Sequence, residues 1–201
     1  MFLLALEGPD FCGKTTIGTA LLFKLRQKGV KVERTELPSR LITGILTDIL
    51  RNSKDRIDSR VFALVYAADH LHHYLTFMKN NSADVVIMER SALSFFVYQG
   101  LILGVDTEWL KELNRYNGTK PDLTVVLKVP EEELIKRKRM RIGSEDVFEK
   151  EEFVRKVARA FYNLPKWLIK EFNVVYVEQR GIEETAIEIM KMIEEKDITK
   201  K

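Results

Sequence analysis

Residues 7–16 read EGPDFCGKTT, and from Gly8 through Thr15 they fit GxxxxGK(S/T), a spacing suited to gripping phosphates. Gly8 and Gly13 let backbone N–H groups converge on a polyphosphate, and the helix that follows presents its positive dipole end. Lys14 is placed to reach a transferable phosphate and the Thr15 hydroxyl to ligate Mg²⁺, with ATP as the expected nucleotide. Contacts to that nucleotide are expected from Gly8, Pro9, Asp10, Phe11, Cys12, Gly13, Lys14, Thr15 and Thr16. One carboxylate, Asp10, sits inside this loop. Like charges at contact distance repel by several kcal/mol in such a site, so Asp10 is expected to face away from the nucleotide and toward an acceptor. The alternative is an acid that only caps the following turn.

Three further stretches carry chemistry. ADVVIME is an apolar run ending in Glu89, an acid placed to hold Mg²⁺ together with Thr15. Arg90 follows it and suits an acceptor's phosphate, against the alternative of a structural ion pair. In IKRKRMRIGSE, Arg137 and Arg141 share a helix face with Arg139 close by, as a short lid over roughly 137–149 would need. A solvated basic face is the competing reading. In RVFALVYAADHLHHYL, positions 61, 64, 65, 68, 71 and 75 mark an expected core stripe. Tyr66 and His70 lie on another face, for stacking on and hydrogen bonding to a base or for ordinary packing. His70, His72 and His73 lack partner ligands at metal-site spacing.

These residues must be positioned by a scaffold. FLLALE, VKVERTE, ADVVIME, LTVVLKV and NVVYVE read as five strands alternating with helices near 14–28, 40–52, 58–79, 91–103, 106–116, 130–141, 150–171 and 181–195. That alternation predicts an α/β fold with a doubly wound five-stranded parallel sheet. Ligands in such sheets gather outside the carboxyl ends of the strands, where the loop, Glu36, Glu89 and the basic stretch all fall.

The chain has 201 residues, 45% of them hydrophobic, which suits a single domain over 1–201 with a frayed tail at 196–201. Thirty-three basic residues against 30 acidic ones leave a net charge of +3, which argues against nucleic acid as the partner. The single cysteine, Cys12, excludes an internal disulfide, and the absence of a signal peptide or spanning apolar run leads us to expect a cytoplasmic protein with no membrane association.

EGPDFCGKTT, LPSR, ERSALSFFVYQG, TKPDLTVVLKVP and FEKEEFVRKVARAF, in this order and over nearly the whole chain, resemble the thymidylate kinases. The resemblance implies a P-loop nucleotide kinase core that moves a phosphoryl group from MgATP to dTMP, as a homodimer packed through helices near 40–79. It implies that Asp10 meets the sugar of dTMP, that Arg40 and Arg90 bind its phosphate, and that Tyr66 lies against the thymine. Ser94, Tyr98 and Gln99 would line the base pocket. The chain departs from the family pattern in four places: Glu89, Arg90 and Ser91 replace a DRY triplet, and His70 stands where an arginine contacts thymine. Phe11 and Val147 occupy the two positions where members carry a catalytic arginine, a role left to Arg137, Arg139 and Arg141.

Two other readings stay open. A deoxynucleoside kinase shares the ERS triplet and would use Glu36 to take the proton of a C5′ hydroxyl, whereas a monophosphate needs positive charge instead. A noncatalytic nucleotide-binding protein could use the same core, although Lys14, Thr15 and Glu89 are all present.

Overall fold

The structure is a computed structural model that describes residues 1–140 and 151–196. Five parallel strands, β1 (Phe2–Glu7), β2 (Val32–Glu36), β3 (Val85–Glu89), β4 (Leu123–Lys128) and β5 (Val174–Glu178), form one sheet in the order β2-β3-β1-β4-β5. The central strand pairs Leu4 with Ile87 on one side and Leu6 with Val125 on the other. Because the chain crosses from one side of β1 to the other, the carboxyl ends of β1, β3 and β4 open a crevice at the switch point.

Both faces of the sheet are buried, which explains why its strands read as unbroken apolar runs. Leu4, Leu6, Ile87, Val125 and Leu127 face Ile17, Leu21 and Leu25 of α1 (Lys14–Gln27) and Ile189 and Ile193 of α9 (Ile182–Glu195). On the other side Val126 packs with Ala63 and Ala67 of α3 (Ser59–His73), Leu93 and Phe95 of α4 (Ala92–Phe95), and Val157 and Phe161 of α7 (Glu151–Tyr162). The remaining described helices are α2 (Ile42–Arg51), α5 (Thr107–Leu113), α6 (Glu131–Met140) and α8 (Lys166–Glu171). Helix α3 runs on into a π-helical turn at Tyr74–Met78, and α4 into another at Phe96–Ile102.

Two sequence expectations change. The helix expected over 150–171 is two helices, α7 and α8, because Pro165 has no N–H for the ladder and caps the second of them. The stripe expected to be core on α3 is largely outside it: Val61, Leu64 and Leu75 are exposed, while Phe62, Ala63 and Ala67 are buried. Periodicity identifies an apolar face but not what covers it. Of the expected lid, Arg141 and residues 142–149 lie outside the described residues, as do residues 197–201 of the expected tail.

Candidate active site

The loop after β1 takes its shape from three residues with positive φ: Gly8 at 130°, Phe11 at 68° and Gly13 at 93°. A Cβ on Gly8 would come within 3.0 Å of Leu127 O, so that position needs glycine for space as well as conformation, whereas Gly13 is required by its φ, its nearest neighbour being the movable end of Gln179 at 3.1 Å. Phe11 adopts the left-handed conformation without that freedom, a strain of the kind that collects at functional loops. Cys12 turns down into the core, where burial raises its pKa and keeps the thiol protonated. Lys14 is buried, and its ammonium donates to Gly8 O at 3.1 Å and Pro9 O at 2.8 Å. It also approaches Cys12 Sγ at 3.8 Å, and a buried cation held by two carbonyls and a thiol retains capacity for an anion.

A cleft of about 1080 Å³ lies over this loop, lined by Phe11, Gly13, Lys14, Thr15, Thr16, Glu36, Glu89, Arg137, Gln179 and Arg180 among others. A second, narrower cavity lies beside it, walled by Pro38, Tyr66, His70, Ser94, Phe95, Tyr98 and Gln99. Asp10, Leu37, Arg51 and Arg90 line both. The two spaces therefore meet at one carboxylate and two guanidinium groups.

Arg90 reaches that junction by a second backbone strain, φ 64°, directly after β3. Its N–H donates to Leu6 O at 3.0 Å, which ties the turn to the central strand. Its guanidinium pairs with Asp10, donates to Ser94 Oγ at 3.3 Å and lies 5.4 Å from the Tyr98 ring centroid. Burial opposes the Arg90 charge, but Asp10, Tyr98 and Glu7 more than offset it and raise the pKa. Burial likewise pushes Asp10 upward, yet Arg90, Lys14 and Arg51 together hold it below the usual aspartate value. Asp10 thus stays charged where the two cavities meet, and no turn-capping bond is seen for it among the described residues. Burial raises the pKa of Tyr66 and of Tyr98, so both remain neutral phenols.

At the metal-side end, Thr15 Oγ1 donates to Glu89 Oε2 at 2.7 Å, bringing the two expected Mg²⁺ ligands into contact. Arg34 of β2 pairs with the other oxygen of Glu89 and donates to Thr19 Oγ1 at 2.6 Å, bracing the acid from behind. From α6, Arg137 donates to Glu133 at 2.9 Å, Phe11 O at 3.2 Å and Gln179 at 2.7 Å, so it spans from that helix onto the loop. Arg139 points elsewhere, in a bidentate pair with Glu151. Arg40 is also not at the junction: its side chain is 90% exposed, pairs with Glu36 at 2.7 Å and lines a separate groove with Ser39 and His73. Arg51, one helix farther on, occupies the place expected for it.

The sequence profile of the thymidylate kinase family matches residues 6–189. The chain belongs to the thymidylate kinase family. A probable thymidylate kinase of Methanocaldococcus jannaschii is 30% identical over 189 residues, 93% of each chain. A crystal structure of the thymidylate kinase from Ehrlichia chaffeensis superposes with a TM-score of 0.69 at 21% identity, covering 96% of this chain and 98% of that one, a likeness of fold. Of the residues singled out in the sequence, the structure brings the loop, Asp10, Glu89, Arg90, Tyr66, His70, Ser94, Tyr98 and Gln99 together around the two spaces. Glu7, Arg34, Arg51 and Gln179 were not among them. Glu7 alone carried a local signal, a carboxylate ending a strand whose every residue is buried.

Proposed function

We propose that the protein transfers the γ-phosphoryl group of MgATP to dTMP, giving dTDP and ADP, with ATP in the wide cleft and dTMP in the cavity beside it. The observation that carries this reading is the junction, where Asp10, Arg51 and Arg90 belong to both spaces. Two guanidinium groups, Arg90 beside Asp10 and Arg51 3.9 Å from Asp48, suit an acceptor that is already an anion. The phosphate oxygen of dTMP forms the new bond to the γ-phosphorus while the bond to the bridging oxygen of ADP breaks. The attacking dianion carries no proton to be removed, so positioning and charge supply the catalysis.

Each residue has a part in that arrangement. Arg90 and Arg51 hold the acceptor phosphate, and Asp10 both fixes Arg90 and accepts a hydrogen bond from the sugar. Lys14 and the loop amides bind the phosphates of the donor, and Arg137 adds charge above them. Thr15 and Glu89 are hard oxygen donors 2.7 Å apart beside the loop, which fits Mg²⁺ with the rest of its shell taken from phosphates and water. When bound, the ion supplies further neutralisation of phosphate charge. Tyr66, Tyr98, Ser94 and Gln99 enclose the base.

The deoxynucleoside kinase reading needs a free base, but Glu36 is paired with Arg40 and lies outside the second cavity. The exposed apolar face of α2 and α3 supports a homodimer packed through these helices; it includes Ile42 at 71% and Ile49 at 60% exposure, next to Val61 and Leu64. An assay of ADP release with MgATP compares dTMP, dUMP and thymidine as acceptors. Turnover with dTMP is expected, and phosphorylation of thymidine without dTMP would overturn the proposal.

A further inference from the structure

Among the polar groups that line the second cavity, His70 has its proton placed by its neighbours. Asn114, at the end of α5, donates from Nδ2 to Leu110 O at 3.2 Å. A carbonyl oxygen only accepts, so this bond fixes which way the amide faces. Asn114 Oδ1 is therefore the atom that lies 2.9 Å from His70 Nδ1. It too only accepts, and the hydrogen between them sits on Nδ1. Burial lowers the His70 pKa, so the ring is neutral and carries that one proton. Nε2 is left as a lone pair with no partner among the described residues, on a ring that lines the cavity. Phe95 packs its ring against the imidazole at 5.4 Å and 66°, which holds the imidazole plane. Reversing the tautomer would require Asn114 to turn over, setting its oxygen against Leu110 O.

Ser94 and Gln99 do not settle the choice of base. Ser94 Oγ is engaged by Glu7 and Arg90. Gln99 offers an amide with both a donor and an acceptor, and its buried Oε1 has no partner among the described residues, so it complements either pattern. Asp69, beside His70 in the chain, is occupied by Ser39 and Thr43.

We propose that His70 reads the acceptor's base as a hydrogen-bond acceptor, so that the cavity selects a pyrimidine presenting an N–H to Nε2 and disfavours one presenting a carbonyl oxygen there. That N–H is the imide of thymine or uracil, or the amino group of cytosine. The inference rests on the assignment of this cavity to the acceptor nucleotide.

The test compares dTMP with N3-methyl-dTMP, and dCMP with its N4-dimethyl derivative, in the wild type and in His70→Phe, by kcat/KM and by calorimetric Kd. Whichever unmethylated nucleotide the wild type prefers should lose about tenfold with His70→Phe, while its methylated partner is indifferent to the substitution, since one net hydrogen bond is at stake. Preference for dTMP identifies the imide as the source, and preference for dCMP the amino group. Equal losses for methylated and unmethylated ligands would overturn the proposal, and so would a ¹⁵N spectrum placing the His70 proton on Nε2. Because the result is a ratio between paired ligands, a general loss of fold stability cancels from it. Asn114→Leu, which frees the tautomer, should narrow the same ratio; an unchanged ratio contradicts the role given to Asn114. A wild type that binds these ligands without turnover overturns the kinase reading alone, because the Kd ratios still report on His70.

Discussion

Glu7 is the residue whose loss should be felt most widely. It is fully buried at the end of β1, and its carboxylate takes four hydrogen bonds from the start of α4. Oε1 accepts from Ser91 N at 2.6 Å, Ser91 Oγ at 2.8 Å and Ser94 N at 3.2 Å, and Oε2 accepts from Ser94 Oγ at 2.6 Å. This cluster clamps the turn that carries Arg90 to the strand that carries the loop. In Glu7→Gln the amide oxygen can keep the first three bonds in neutral form, at about half their strength. The fourth must reverse, because an NH₂ now faces a hydroxyl that was donating. With charge-assisted bonds worth about 1.5–3 kcal/mol each, and part of the loss offset by burying an amide in place of a charge, the expected destabilisation is about 2–3 kcal/mol. Urea unfolding followed by Trp109 and Trp167 fluorescence measures it. The KM for dTMP should rise more than the KM for ATP, since Ser94 and Arg90 line the cavity we propose for the acceptor. A loss below about 0.5 kcal/mol would refute the clamp, since leaving even one buried group unmatched costs about 1 kcal/mol or more.

Three other perturbations bear on the site. Asp10→Asn should lower kcat/KM for dTMP by about thirtyfold through the loss of Arg90's partner, with the ATP KM little changed; equal losses on both nucleotides in initial-rate kinetics would contradict the outward-facing assignment. Arg137→Ala should lower kcat by about a hundredfold, as removal of one preorganised donor does, and full activity would return Arg137 to a solvated face. His73, buried against Phe77 with Nε2 at 2.6 Å from Thr35 Oγ1, has its pKa pushed down by burial to about 4. Below its ordinary value of 6.5 the unfolded chain binds a proton that the native state refuses, so stability falls as pH drops from about 6.5 toward 4 and levels off below. The loss attributable to this group is about 2–3 kcal/mol, and His73→Gln should remove it from a pH series of urea midpoints. An identical slope in the variant would assign the effect elsewhere.

Much of the scaffold was legible because strand periodicity, loop motif and helix pattern are local. The apolar runs of β1, β3 and β4 announce burial on both faces, and GPDFCGKT announces its own backbone. What stayed hidden was non-local. Nothing in the sequence around Arg34 shows that β2 lies beside β3 with Glu36 level with Glu89, the register that lets Arg34 brace the acid. Arg51 was hidden by competition, since Arg40 in LPSR matched a known pattern while the fold turned it to solvent. The α3 stripe was misassigned because an exposed apolar face and a core face have the same period. His70 was visible as a departure, but its meaning depends on Asn114, 44 residues away.

The central claim, that two nucleotides meet end to end across Asp10 and Arg90, is tested most directly by titrating the protein with adenosine and thymidine joined through a polyphosphate chain. Calorimetry should show one molecule bound per chain, displaced by ATP and by dTMP alike, and weakened by Lys14→Ala and by Arg90→Ala. Displacement by only one of the two nucleotides, or binding indifferent to either substitution, would contradict it.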